Sequence, residues 1–379
     1  MAKFLKDNAV TLVAALAALV PACFVPPCVG YLDYFDWNTL GCIFCILAVV
    51  AAAKRARLFD VVARGFVSRF STTCSVLVAL VSLTLVASMF VTNDMALIMF
   101  LPLAAMVLFR AGQAWLVPFC FVMQDVAANL GGMIMPFGSP QNLYLFSKFG
   151  LDLGSFLSVM AMPFLVSVVL IVVSCCAYAR GGSLSVRTEG AADVDVRRAV
   201  GYGALFALAL LAVFRVVPFW LPVLVIVGVL LFVDRDALRE VNYGLLLTFV
   251  FFFVFSGNLA EIPAAQELFA WLLSFGTMAS SALACQVMSN VPTAVLFAQF
   301  TTDWPGLLVG VNIGGAGTLV ASLASLITFE EFRVVQAAGR AKGGDVGKRF
   351  GTGRYLALFT LVNFAFLGVL LAVGWSLGY

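Results

Sequence analysis

The apolar positions of this chain fall in long unbroken runs. They show neither the alternation of a half-buried strand nor the three-to-four spacing of a soluble helix. The runs occupy 9–28, 37–53, 71–109, 114–146, 155–178, 199–214, 217–233, 242–257, 276–300, 305–328 and 355–377. About 20 apolar residues carry a helix across hydrocarbon, so most runs predict one transmembrane helix each. Three depart from that pattern. Thr92-Asn93-Asp94 interrupts 71–109, and Ser289-Asn290-Val291-Pro292 interrupts 276–300. The arms of the second, Gly276–Met288 and Thr293–Phe300, are too short to cross separately and predict a re-entrant hairpin. The first arm of 71–109 is long enough to cross, so a hairpin and two full crossings both fit it. The run 114–146 holds Gly131-Gly132, Pro136, Gly138 and Pro140, which break a helix at mid-depth.

Hydrophobic types make up 63% of the chain and charged types 11%, with a mean hydropathy of +1.08. Soluble domains have about 45–50% and about 25%. The surplus fits only a lipid-embedded chain. This excludes a soluble enzyme, a nucleic-acid binder and a secreted disulfide scaffold. There is no histidine, which removes Ser-His-Asp, Cys-His and His-zinc chemistry. The nine cysteines read as small buried residues. No Walker loop is present, and no enzyme activity or organic cofactor is expected. The N-terminal run reads as a first helix, not a removed signal peptide.

The basic residues orient the chain. With the N-terminus cytoplasmic and both hairpins re-entrant, every Lys and Arg except Lys148 and Arg215 lies on the cytoplasmic side. The expected fold is therefore an all-α polytopic membrane protein with about nine transmembrane crossings, two re-entrant helical hairpins and two broken helices. The expected location is the cell (inner) membrane.

The halves also match each other. Thr92-Asn93-Asp94 through Phe100 aligns with Ser289-Asn290-Val291 through Phe297, a stretch that includes Thr293. Asn129-Leu130-Gly131-Gly132 aligns with Asn312-Ile313-Gly314-Gly315. An inverted repeat follows. Residues 1–178 form the first copy, with hairpin 71–109 and broken helix 114–146. Residues 179–198 form a polar cytoplasmic linker. Residues 199–379 form the second copy, with hairpin 276–300 and broken helix 305–328. Segments 56–70 and 261–273 read as amphipathic helices along the interface, and 329–354 as a basic, Gly-rich cytoplasmic loop. Inverted repeats with broken helices are the architecture of secondary transporters, whose site lies where the breaks meet. Half-helix N-termini there offer N–H groups and positive dipole ends to an anion. Exposed carbonyls and Asn or Ser oxygens hold a cation.

On these tips, and on Gly131-Gly132-Met133-Ile134-Met135-Pro136-Phe137-Gly138-Ser139-Pro140-Gln141-Asn142, the chain resembles the ion transporter superfamily. That group includes divalent anion/sodium symporters, citrate transporters, arsenite permeases and one set of sodium/proton antiporters. The resemblance implies one sodium site at Asn93 with Gly131-Gly132, and a counterpart at Asn290 with Gly314-Gly315. It implies that Thr92, Ser289, Ser139 and Thr318 meet the substrate or its cation, and that Thr293 and Asn142 belong to the same site. It also implies a homodimer. The symporters carry a neutral third tip residue where this chain has Asp94 and Val291, which speaks against a simple dicarboxylate symporter.

Asp94 and Asp125 are the acids inside apolar runs, with no Lys or Arg at matching depth. An intramembrane carboxylate costs about 2.5–3.5 kcal/mol on insertion scales. Desolvation favours the protonated carboxyl and a nearby cation the carboxylate, so such a group exchanges a proton for a cation. Asp125 precedes Asn129 by four residues, which places both on one helix face. The reading is a secondary transporter moving a small anion, either a carboxylate or an inorganic oxyanion. It is coupled to Na+ or H+ and works by alternating access. The alternatives are a Na+/H+ antiporter and an arsenite efflux permease, and neither tip holds a cysteine for the latter. The partners expected are the small anion and the lipid bilayer, with no nucleic acid.

Overall fold

The structure is a computed structural model describing residues 9–26, 29–59, 65, 70–179, 195–341 and 351–379. Most of the predicted linker and of segment 56–70 lies outside these residues. In chain order the helices begin with α1 Ala9–Ala22, α2 Trp37–Arg55, α3 Thr73–Phe90, α4 Asn93–Arg110, α5 Val117–Gly131 and α6 Pro140–Lys148. They continue with α7 Leu153–Tyr178, α8 Val196–Val213, α9 Trp220–Val233, α10 Arg235–Arg239, α11 Tyr243–Ala260 and α12 Pro263–Leu273. The last are α13 Thr277–Met288, α14 Asn290–Phe297, α15 Trp304–Ile313, α16 Leu323–Ala341 and α17 Thr352–Ser376.

Among the described residues, eight helices are long and apolar enough to cross a bilayer. The two arms of the first hairpin, α3 and α4, are among them at 18 residues each. The second hairpin, α13 and α14, has arms of only 12 and 8 residues. At 1.5 Å per residue these arms are about 27 Å long in the first hairpin and about 12–18 Å in the second. Helix α12 turns away from α13 by 115°.

Polar caps fix where several helices begin. Asp36 accepts from Thr39 N–H, Asp152 from Ser155, Asn242 from Leu245 and Asp303 from Gly306, while Thr72 and Ser75 form a capping box. Each satisfies a backbone N–H that the first turn leaves free. The Ser155 hydroxyl and N–H hold the Asp152 carboxyl below its usual range.

Two groups of helices result. α1 lies along α11, joined by a hydrogen bond between Thr11 and Thr248 at 2.9 Å. α2 packs on α8 and α9, and Arg55 at its end pairs with Asp234 at 3.1 Å and Glu240 at 2.6 Å. The hairpins pack on the broken helices, α3 on α5 and α13 on α15. The two repeats also interlock, with α16 against α4 and α14 against α6.

The stretch 329–354 is not wholly a loop, because α16 continues to Ala341. Phe329, Phe332 and Val335 recur at helical spacing among Glu330, Glu331 and Arg333. Phe332 is fully buried and stacks on Tyr355 with ring centroids 3.8 Å apart. An amphipathic helix gains that burial and a loop does not.

Candidate substrate and ion site

The repeat is built by contact as well as by sequence. Gly131 packs on Leu85 and Ser88, eight and five residues before Asn93. Gly314 packs on Ala282 and Cys285, which stand in the same register before Asn290. The second glycine of each pair then faces a tip, Gly132 toward the Asn93 side chain and Gly315 toward that of Asn290. A side chain at these positions would strike backbone or tip, so the motif needs its missing Cβ atoms.

Breaking a helix in lipid strands carbonyls and N–H groups at a cost of several kcal/mol each. Buried amides take them up. Asn142 Nδ2 donates to the carbonyls of Gly132, Met133 and Met135 at 3.3–3.4 Å. Gln286 does the same work in the second copy, donating to Gly314 O at 2.9 Å and Ala316 O at 3.3 Å and accepting from Thr318 N–H at 2.8 Å. The Thr318 hydroxyl donates to Gln286 O. Gln286→Leu should therefore cost about 2–3 kcal/mol, since several buried backbone groups lose their partner. A lowered unfolding temperature in detergent would show it, and an unchanged one would refute the role.

A cavity of about 420 Å³ lies where the tips meet. Thr92, Asn93 and Asp94 line it from α4, Ser289 and Asn290 from α14, and Pro140 and Gln141 from α6. Helices α4, α6 and α14 thus start at one cavity. The residues before them, Thr92, Ser139 and Ser289, are of the capping type, yet none makes a side-chain cap. Ser289 holds φ at +74°, a left-handed geometry that costs a non-glycine residue about 1–3 kcal/mol and marks sites held for function. Three helix ends, each carrying roughly half a positive charge, point their first turns at one place.

Oxygens gather on the other side of the same tips. Around the open face of Gly132 stand Asn93 Oδ1, Gly138 O and Ser88 O, at 2.6, 2.9 and 3.2 Å from where a Cβ would sit. Asn93 Oδ1 is buried and has no hydrogen-bond partner. Around Gly315 stand two oxygens, Asn312 O and Asn129 Oδ1, and the Asn290 amide nitrogen Nδ2, at 3.0–3.5 Å from the corresponding point. Asn129 joins the two clusters, because its Oδ1 also accepts from Asn93 Nδ2 at 3.3 Å.

The residues singled out from sequence therefore separate. Thr92, Asn93, Asp94, Ser289 and Asn290 line the cavity. Asn129, Gly132, Asn312 and Gly315 lie behind the tips among the oxygens. Gly131 and Gly314 are packing surfaces, Asn142 and Thr318 brace the breaks, and the Thr293 hydroxyl donates to Ser289 O. Ser139 is buried with its hydroxyl unpartnered, next to the cavity-lining Pro140. Asp125 is fully buried and outside the cavity. It accepts from Ser325 Oγ at 3.3 Å and Asn129 Nδ2 at 3.4 Å, and the Thr328 and Asn363 side chains face it. Sequence reasoning missed Gln286, Ser325 and Asn363. Asn363 is an isolated amide in an apolar helix, and that isolation could have found it; Gln286 and Ser325 stand among other polar residues of their helices and give no such signal.

An all-helical membrane protein whose two broken helices and two hairpin tips share one cavity is a transporter in class. The family follows from a family model described as "Citrate transporter", which matches residues 4–303: the chain belongs to the citrate transporter family. It is 27% identical to an uncharacterized transporter of Methanocaldococcus jannaschii over 89% of each chain. It is 28% identical to the inner membrane protein YbiR of Escherichia coli, over 77% of this chain and 79% of that one. The crystal structure of the YdaH transporter of Alcanivorax borkumensis superimposes with a TM-score of 0.47 at 12% identity, covering 99% of this chain and 98% of that one.

Proposed function

We propose that the protein is a cation-coupled secondary transporter that carries a small anion across the inner membrane by alternating access, with its N-terminus in the cytoplasm. One observation carries the reading. The same two tips present helix N-termini without side-chain caps on one side, the first N–H of α14 donating to Ala321 O, and clustered oxygens on the other. The anion sits against the Thr92 and Ser289 hydroxyls and the first turns of α4 and α14. Sodium is held by Asn93 Oδ1 with the Ser88 and Gly138 carbonyls; the matching cluster at Gly315 offers Asn312 O and Asn129 Oδ1, with Asn290 turning its Nδ2 toward them. A cation behind the tips orders them and offsets anion charge in front, so each ion favours binding of the other. The hairpins and broken helices move against α1, α2 and α8–α11. The family resemblance supports a homodimer.

A Na+/H+ antiporter is the second reading, favoured by the Asp94 carboxylate at a cavity without Lys or Arg among its lining residues. Proteoliposomes with an internal pH dye separate the two. Exchange driven by a sodium gradient alone supports the antiporter. Flux that requires an added anion supports anion transport. Flux of neither kind, with citrate and a panel of monocarboxylates and oxyanions, overturns the anion reading.

A further inference from the structure

The cavity has two unlike ends. Its polar end is the tips. Its opposite wall comes from α1 and α11, including Val10, Val13, Ala17, Leu245, Phe252 and Phe255. The one hydrogen-bonding side chain this wall adds is Thr248, and that group is already engaged. Its hydroxyl donates to Gly244 O at 2.7 Å and meets Thr11 Oγ1 at 2.9 Å. No Lys or Arg is among the lining residues, and Asp94 is the one charged residue there.

A compact polycarboxylate suits such a space poorly. Its first carboxylate finds N–H groups and hydroxyls at the tips. The others face valine and phenylalanine, where an ionised group gives up water and gains no donor. Cations behind the tips offset total charge but put no hydrogen-bond donor on the far wall. A volume of about 420 Å³ falls in the roughly 300–1,000 Å³ of sites that take drug-sized, mostly apolar ligands with a few fixed polar contacts.

We propose that this cavity takes an amphipathic organic monoanion, with one carboxylate-type head at the hairpin tips and an apolar body against α1 and α11. The inference rests on the anion-transport reading above and narrows its substrate to a class that the family description does not name.

The test uses the full-length protein in nanodiscs in sodium buffer, with empty nanodiscs subtracting partition into lipid. Binding of 4-phenylbutyrate and benzoate is compared with that of citrate and succinate by titration calorimetry. The expected result is 4-phenylbutyrate binding at least tenfold tighter than citrate, with benzoate between them. Phe252→Ser, and separately Val13→Ser, should weaken 4-phenylbutyrate at least tenfold in protein that elutes and unfolds like the parent. Val13 is 66% exposed, so its change is safe for folding if Phe252→Ser is not. Tighter binding of citrate or succinate overturns this inference and leaves the anion reading intact. Equal binding of 4-phenylbutyrate by parent and both variants also overturns it. Binding of neither class overturns the inference and the anion reading together.

Discussion

Gly132→Ala is expected to reduce cation-driven transport at least 100-fold and to abolish stabilisation by sodium. The added methyl would sit 2.6 Å from Asn93 Oδ1, 2.9 Å from Gly138 O and 3.2 Å from Ser88 O. Two of these atoms are backbone carbonyls, held by the break and by the end of α3, and neither can swing aside. The methyl occupies the space in which the three oxygens would close on an ion. A 100-fold loss corresponds to about 2.7 kcal/mol, a modest demand on a methyl that forces atoms apart in a close-packed interior. Gly315→Ala should be milder, because its neighbours stand at 3.0–3.5 Å and the nearest is a side-chain amide. Gly131→Ala meets Leu85 O and Ser88 Oγ, so it should lower stability without a selective loss of sodium response. Initial uptake rates against sodium concentration, with unfolding temperatures in sodium and in potassium, check all three. Wild-type sodium dependence in Gly132→Ala would remove the cation from this cluster.

Much of this was legible because lipid punishes interruption. Glycine, proline and asparagine in an apolar run stand out, and both breaks and both tips were located that way. The Gly-Gly repeat was equally legible, since close approach of a hairpin arm demands the same residue in both copies. Asp125 and Asn129 share a face by simple helical spacing, and Asn129 Nδ2 does reach the Asp125 carbonyl at 3.1 Å. Less visible was how hydroxyls and amides are used. Thr92, Ser139 and Ser289 are of the capping type, and only geometry shows that none makes a side-chain cap. Asn142 looks like a ligand and instead supports three stranded carbonyls. Its functional counterpart Gln286 lies in a hairpin arm, where alignment of the breaks does not look. The extension of α16 was hidden by Glu330, Glu331 and Arg333 between Phe329 and Val335, although one buried stripe suffices to hold a helix.

Asp125→Leu should cost about 1–3 kcal/mol of stability, and the second repeat suggests how to restore it. Each broken helix is braced to the other half behind its break. Asn312 of α15 donates to Asn142 Oδ1 of α6 at 2.6 Å. Asn142 stands ten residues after Gly132, and Ser325 of α16 stands ten after Gly315. The matching brace therefore joins Asn129 to Ser325. Serine is too short for a direct link, and the Asp125 carboxylate fills the gap, accepting from both. Its own counterpart, four residues before Asn312, is Leu308. Leucine at 125 would remove the acceptor that Asn129 and Ser325 share, while each keeps a second partner, Asp125 O and Ser322 Oγ, so the loss is about 1–3 kcal/mol against a typical total of about 5–15 kcal/mol. Adding Ser325→Asn to Asp125→Leu copies the arrangement of the second repeat and should recover most of the unfolding temperature. Transport then separates two roles for the acid. If Asp125 carries the coupling charge, the double variant folds but no longer couples uptake to an ion gradient. If uptake returns with stability, the carboxylate is a brace and coupling resides at the tips.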